Sequence, residues 1–204
     1  MGALTGVDDE PRLIERARGG DREAFGMLVD IHQDRLYHFV RRQSRDDDEA
    51  MDIAQEAFVK AWTKLALFRA DSKFSTWLFT IAANECRSRH RSRKLEPVAI
   101  DDATMQVSDP HEQGAQATLE SEELKASLHK ALASLDSDYS QPLILLHFQG
   151  ESYQSIADIL SIPLGTVKTR IHRGHKFLAE KLRPLGKTET TSVRHASKGH
   201  KAQP

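Results

Sequence analysis

The sequence holds a single cysteine, Cys86, so one chain can build neither an internal disulfide nor a cysteine-based zinc site, and a reducing cytoplasm is its expected home. Nowhere do about 18 apolar residues follow one another, and the start MGALTGVDDEPRLIERA lacks the basic stretch and apolar run of a secretion signal. Neither export nor stable membrane insertion is expected. Aromatic residues are scarce at 6%, and eleven glycines and seven prolines supply few of the turns that a sheet sandwich needs. The net charge of -1 excludes bulk polyelectrolyte behaviour.

What is present is charge, at 29% of the chain, and a modest 39% of hydrophobic residues. Over 204 residues that content suits two small helical domains better than one large core. The signs of charge also separate along the chain. Residues 46–56 carry six acids and no Lys or Arg, residues 95–124 carry eight acids and none, and residues 165–183 carry six Lys or Arg against one acid.

From Arg12 to Lys94 apolar residues return every three or four positions, which predicts three or four packed helices broken only at Gly19, Gly20 and Gly26. From Leu95 the period is lost while Pro97, Pro110, Gly114 and many acids gather, as in an extended tether. Helical periodicity resumes at about Glu120, and beyond Gly186 almost nothing apolar remains to bury. The expected architecture is all-α: a helical domain over 10–94, a flexible acidic linker over 95–120, a second helical domain over 121–185, and a disordered basic tail over 186–204.

In the second domain Ser152 can cap a helix whose Tyr153, Ile156, Ala157 and Leu160 share a face, and Ser161-Ile162-Pro163 then interrupts it. On the helix that follows, Leu164, Val167, Ile171, Gly174 and Leu178 form one stripe. Lys168, Thr169, His172, Arg173 and Lys176 project from the opposite side. A packing face backed by a cationic, hydrogen-bonding face is what a major-groove recognition helix requires. A plain solvated basic face gives the same charge pattern, but not the short Pro163 turn or the small Ala157 where two helices approach. Before this pair, a helix from about Asp138 is expected, with Pro142 in its first turn.

In the first domain Ala54, Ala57, Phe58, Ala61, Trp62 and Leu65 trace a core stripe, while Asp52, Gln55, Glu56 and Val59 trace the other side. Asp71-Ser72 can cap a later helix with Phe74, Trp77, Leu78, Ile81 and Ala82 buried and with Lys73, Asn84 and Arg87 opposite. A polar face bearing Asn and Arg suits single-stranded DNA, because cations follow the backbone while an amide or an aromatic holds an unstacked base.

Three segments carry a resemblance. SYQSIADILSIPLGTVKTRIHRGHKFL resembles the promoter −35 reading segment of extracytoplasmic-function (ECF) sigma factors of the sigma-70 family, with their Pro-x-Gly-Thr-Val-basic-Ser/Thr-Arg turn. DDDEAMDIAQEAFVKAW resembles the region 2 helix that docks on the RNA polymerase clamp, and LALFRADSKFSTWLFTIAANECRSRHR the −10 melting segment. The stretch before the first of these departs from the family's usual Leu-Pro-x-x-x-Arg pattern.

The resemblance implies a region 2 helical bundle, a region 4 helix-turn-helix, and a non-catalytic factor that binds core RNA polymerase and directs promoter recognition, melting and initiation. It assigns duplex −35 contact to Lys168, Thr169, His172 and Arg173, with Arg170 and Lys176 on phosphates. Single-stranded −10 contact falls to the loop from Phe68 through Arg69 and Lys73 to Phe74, and to Asn84 and Arg87. Polymerase contact falls to Asp52, Gln55 and Glu56, supported by Ile53 and Phe58.

The resemblance further implies an anti-sigma factor as partner, a place in the bacterial cytoplasm on the nucleoid, and no cofactor or metal. A linker carrying Asp101, Asp102 and Asp109 would occupy a polymerase channel built for RNA. Three other readings compete. A polymerase-independent helix-turn-helix regulator leaves the pattern from Asp52 to Arg87 unexplained. A metal-dependent nuclease built on Asp47, Asp48, Asp52 and Glu56 requires consecutive acids to converge, whereas a helix splays them. A structural adaptor would bind all DNA sequences alike.

Overall fold

A computed structural model describes residues 10–69, 71–95 and 119–183, the side chains of 94–95 and 119–123 excepted. The expected linker and tail lie outside the described residues. Among those described the chain is all-α: α1 (Glu10–Arg18), α2 (Arg22–Arg41), α3 (Asp47–Lys64), α4 (Phe74–Leu95), α5 (Leu119–Ala133), α6 (Ser137–His147), α7 (Tyr153–Leu160) and α8 (Leu164–Leu182), with a short 3-10 turn at Leu65–Leu67.

Local chemistry sets the helix starts. The Asp21 carboxylate accepts from the backbone N–H groups of Glu23 and Ala24 at 3.0 and 3.1 Å, satisfying donors that the first turn of α2 leaves without partners. Asp46 does the same for Glu49 at 2.8 Å, and the Glu49 carboxylate accepts in return from Arg45 N–H at 2.9 Å. At α7, Ser155 N–H donates to Ser152 Oγ at 3.1 Å.

α1 to α4 enclose a core of Leu28, Leu36, Phe39, Ile53, Phe74, Leu78 and Phe79, in which Phe39 and Phe79 meet edge to face at 5.2 Å. α5 to α8 enclose Leu132, Leu143, Ile144, Leu145, Ile156, Val167 and Ile171. α6 and α8 approach so closely that a Cβ added at Gly174 would lie 2.7 Å from Leu143 Cδ1. α4 also packs against α6 and α7, so the apolar interior is continuous from one helical unit into the other.

Two local expectations are corrected. Gly26 does not break the chain: α2 runs unbroken for 20 residues, with buried Ala24 and Leu28 and half-buried Phe25 around the glycine. Burial of that face outweighs a glycine penalty of about 1 kcal/mol. Pro142 lies in the second turn of α6, since Asp136 accepts from Asp138 N–H at 3.1 Å and starts the helix at Ser137.

Candidate nucleic-acid interface

The short α7 ends where Ser161 takes a left-handed conformation (φ 52°), and Ile162 N–H returns to the Ala157 carbonyl at 3.0 Å. This reversal aims α8. Val167, Ile171 and Gly174 are buried, whereas Lys168, Thr169, His172, Arg173 and Lys176 are exposed. No acid lies between Leu164 and Lys176. The helix thus presents an uninterrupted donor-rich surface beside a tightly seated packing stripe.

Arg170 stands apart from this set. It is half-buried and paired with Asp138 at 2.9 Å, which draws it toward the rim of a cleft lined by Asp138, Gly165, Thr166, Thr169 and Arg173. The Thr169 hydroxyl donates to the Gly165 carbonyl at 3.0 Å. Further along, His147 and His175 face each other with Nε2 atoms 2.8 Å apart, as when one ring donates and the other accepts.

The loop before α4 divides its residues differently from the sequence expectation. Phe68 and Phe74 are only 2% and 1% exposed, pack edge to face at 5.7 Å, and both rest on Trp77. Arg18 donates to the Phe68 carbonyl at 3.1 Å and fixes the turn. Arg69 and Lys73 reach solvent, so the two rings hold the loop while the two cations are presented by it. Leu67, 74% exposed at the loop's rim, is the residue the sequence reading missed. Its signal is the spacing of Leu65 and Phe68, three apart on one buried face, which leaves Leu67 pointing elsewhere.

On α4, Asn84 is exposed and accepts from Arg87 at 3.0 Å, while a second Arg87 nitrogen donates to the Gln141 side chain of α6 at 3.1 Å. Burial pushes the Arg87 pKa down, against the pull of nearby Asp138. The basic end of the helix is partly neutralised, since Arg93 pairs with Glu49 at 2.6 Å. Cys86 is buried, and burial pushes its thiol up to about 12, which leaves it inert as a nucleophile.

α3 presents Asp52, Gln55 and Glu56 to solvent, while Ile53 and half-buried Phe58 anchor its inner face. Exposed Met51 and Val59 flank the polar residues, giving a mixed acidic and apolar surface. Glu56 is bridged by Lys60 at 2.8 Å and lies 3.9 Å from Arg89, and the Lys60 hydrogen bond holds its carboxyl below the usual range. Asp47 belongs to another network. It accepts from Arg41 and from the Tyr37 hydroxyl, which removes it from the convergent ligand set that a nuclease reading requires.

The description Sigma-70 region 2 matches residues 28–96, and Sigma-70, region 4 matches residues 125–178. The chain belongs to the sigma-70 family, in its ECF group. This sigma factor is 34% identical over 185 residues to the RNA polymerase sigma-H factor of Pseudomonas aeruginosa, covering 87% of this chain and 96% of the relative. It is 36% identical over 181 residues to the ECF RNA polymerase sigma factor SigW of Bacillus subtilis, covering 85% and 97%.

Among solved structures it resembles the sigma factor RpoE of Bartonella quintana, crystallised with the anti-sigma factor NepR. That match has a TM-score of 0.61 and 30% identity over 78% of this chain and 96% of the other. It also resembles CnrH in complex with the cytosolic domain of CnrY, with a TM-score of 0.63 and 25% identity over 86% and 97%. No helix among the described residues of the sigma factor is long and apolar enough to cross a membrane.

Proposed function

We infer that the chain is a sigma factor that binds core RNA polymerase, recognises promoters in a sequence-specific manner, melts them and directs initiation, adding no catalytic step of its own. The observation that carries this reading is the presence of two separate interfaces within one chain that matches both sigma regions: the acid-free face of α8 and the Asp52, Gln55, Glu56 face of α3.

Lys168, Thr169, His172 and Arg173 read base edges of the −35 duplex, because exposed side chains on the early turns of a seated helix reach furthest into a major groove. Lys176 holds a phosphate. Arg170 joins it once DNA competes with Asp138 for its guanidinium. At the −10 element Arg69 and Lys73 track the melted strand and Asn84 and Arg87 engage a base and its backbone, while Phe68 and Phe74 shape the loop from inside. Asp52, Gln55 and Glu56, with Met51 and Val59 beside them, dock on the polymerase. The solved relatives hold anti-sigma factors, which supports such a partner here, and the site of action is the cytoplasm, at the nucleoid.

Titration of bacterial core polymerase against the fluorescently labelled chain tests the docking face. The wild type binds saturably, and Asp52→Ala/Gln55→Ala/Glu56→Ala weakens binding at least tenfold with unchanged helical content. Equal affinity of the two proteins removes α3 from the polymerase interface.

A further inference from the structure

α6 and α8 bring together two metal-ligating side chains that no interface assigned above uses. His147 is the last residue of α6 and His175 lies in the second half of α8. Both are exposed, and their Nε2 atoms stand 2.8 Å apart. The rings are inclined by 50° with centroids 5.0 Å apart, so the nitrogens and not the ring faces make the contact. A hydrogen bond between them uses one N–H and one lone pair.

The packing of the two helices holds this spacing. Gly174, next to His175, lets α8 approach α6 until a Cβ there would lie 2.7 Å from Leu143 Cδ1. Tyr139 of α6 meets Phe177 of α8 edge to face at 5.1 Å, and Asp138 pairs with Arg170 at 2.9 Å. At the end of α6, Phe148 N–H bonds to the Ile144 carbonyl at 3.0 Å, which keeps His147 in the last helical turn. Two imidazoles from two helices are thus in position before any ligand arrives, so little conformational freedom is lost on binding.

The donor set narrows the ligand. Among the described residues no third His, Cys, Asp or Glu completes a cluster with the pair, so water would fill the remaining positions of a bound ion. Imidazole nitrogen suits late transition metals, whereas Mg²⁺ and Ca²⁺ need oxygen. The separation discriminates further. Two nitrogens 2.8 Å apart, each about 2.0 Å from one ion, subtend about 90° at it. A tetrahedral ion would hold them roughly 3.3 Å apart. Right angles belong to adjacent positions of square-planar or octahedral coordination, the geometries of Cu²⁺ and Ni²⁺.

We propose that His147 and His175 form a binding site for a divalent late transition metal of the Ni²⁺ or Cu²⁺ type, which ties the end of α6 to α8. On binding, the ring that donates within the pair shifts its proton from Nε2 to Nδ1 through solvent, and both Nε2 lone pairs pass to the ion. No electron is transferred. The ion crosslinks the two helices and adds positive charge beside Lys176 and one turn from His172, on the flank of the −35 reading face. Because it binds only the folded arrangement, it stabilises region 4.

Calorimetric titration of the full chain with nickel chloride, in a buffer that does not chelate, measures the site. The wild type binds one equivalent tightly, and His147→Gln and His175→Gln each weaken that event about tenfold or more with unchanged helicity. His111, His195 and His200 lie elsewhere in the sequence, so His111→Ala/His195→Ala/His200→Ala keeps it. Saturating Ni²⁺ raises the melting temperature by about 3 °C or more in the wild type and leaves both Gln variants unmoved. Absence of binding by the wild type, binding that survives both Gln substitutions, or binding that disappears with the three remote histidines overturns the proposal. Tighter binding of Zn²⁺ than of Ni²⁺ overturns the right-angle geometry on which the choice of metal rests. No readout involves polymerase or a promoter, so failure here leaves the sigma assignment standing.

Discussion

Arg173 and Lys168 extend from α8 with no acid nearby in sequence, whereas Arg170 is held by Asp138, and that difference predicts different losses. Arg173→Ala or Lys168→Ala should weaken binding to the preferred −35 duplex by about 1–3 kcal/mol and flatten the preference at one base position. Lys176→Ala should weaken all duplexes alike and make the salt dependence shallower. Competition binding across a panel of single-base variants separates the two outcomes. If Lys168→Ala and Arg173→Ala lower affinity uniformly, neither residue reads bases.

Gly174 sits where Leu143 leaves no room for a Cβ, so Gly174→Ala sets a helix-propensity gain of at most about 1 kcal/mol against an overpacking loss of about 1–3 kcal/mol. A net loss in chemical denaturation is expected, and a gain would show that Leu143 can swing away. The sequence placed Gly174 on the packing stripe of α8 correctly, since a period of 3.6 decides faces. It placed Phe74 on the buried stripe of α4 while also giving it to the DNA loop, and it could not place Phe68, because an aromatic in a loop can stack on a base or close a core. Only the Phe68, Phe74 and Trp77 cluster decides between these uses.

At the scale of the element, α7 and the turn into α8 were readable because each signal has one local cause: Ser152 caps, Ser161 reverses the chain, and Pro163 cannot continue a helix. The reversal predicts a stabilising substitution. Ser161→Gly relieves a left-handed conformation that costs a non-glycine residue about 1 kcal/mol, so the melting temperature should rise. An unchanged or lowered value would mean that the serine side chain contributes something the glycine loses. Asp46→Ala removes the cap of α3 and should cost about 1 kcal/mol, and because α3 carries Asp52 and Glu56, polymerase affinity should fall with it.

α4 was read only in part. Its inner stripe of Phe74, Leu78 and Ala82 is periodic, but Ala83 and Cys86 are buried as well, which no single-sided pattern shows. A second helical unit packs on this helix from beyond residue 119, and periodicity along one segment does not reveal a distant partner. Gln141 was invisible for the same reason. A glutamine in a helical run reads as solvated, and its burial depends on groups 54 and 58 residues away.

Folding of the whole molecule is coupled to proton uptake through three histidines. Burial depresses the pKa of His129, opposed by its bond to the Arg41 carbonyl and reinforced by the charges of Arg41 and Arg42, with Asp47 pulling the other way. His32 is also depressed, burial leading and Glu10 opposing, as is His175, where burial leads and His147 and His172 add to it. A histidine whose folded pKa lies below the unfolded value of 6.5 binds its proton later in the folded state, so the unfolded chain gains protons first as pH falls. Stability is therefore fully present above about pH 6.5 and declines as acidity increases below it. Urea midpoints between pH 8 and pH 5 should fall, and His129→Gln should make the decline shallower. A midpoint that rises on acidification contradicts this assignment.

Both sigma regions and the faces of α3, α4 and α8 derive their meaning from one claim, that the chain gives core polymerase its promoter choice. Run-off transcription with purified bacterial core polymerase on a library of genomic promoters measures that claim directly, with Asp52→Ala/Gln55→Ala/Glu56→Ala as the comparison. Initiation from a small, defined promoter set with the wild type, and its loss with the variant, is the expected result. If neither protein supports initiation while the wild type still selects a duplex sequence, the chain is a polymerase-independent regulator and the account is contradicted.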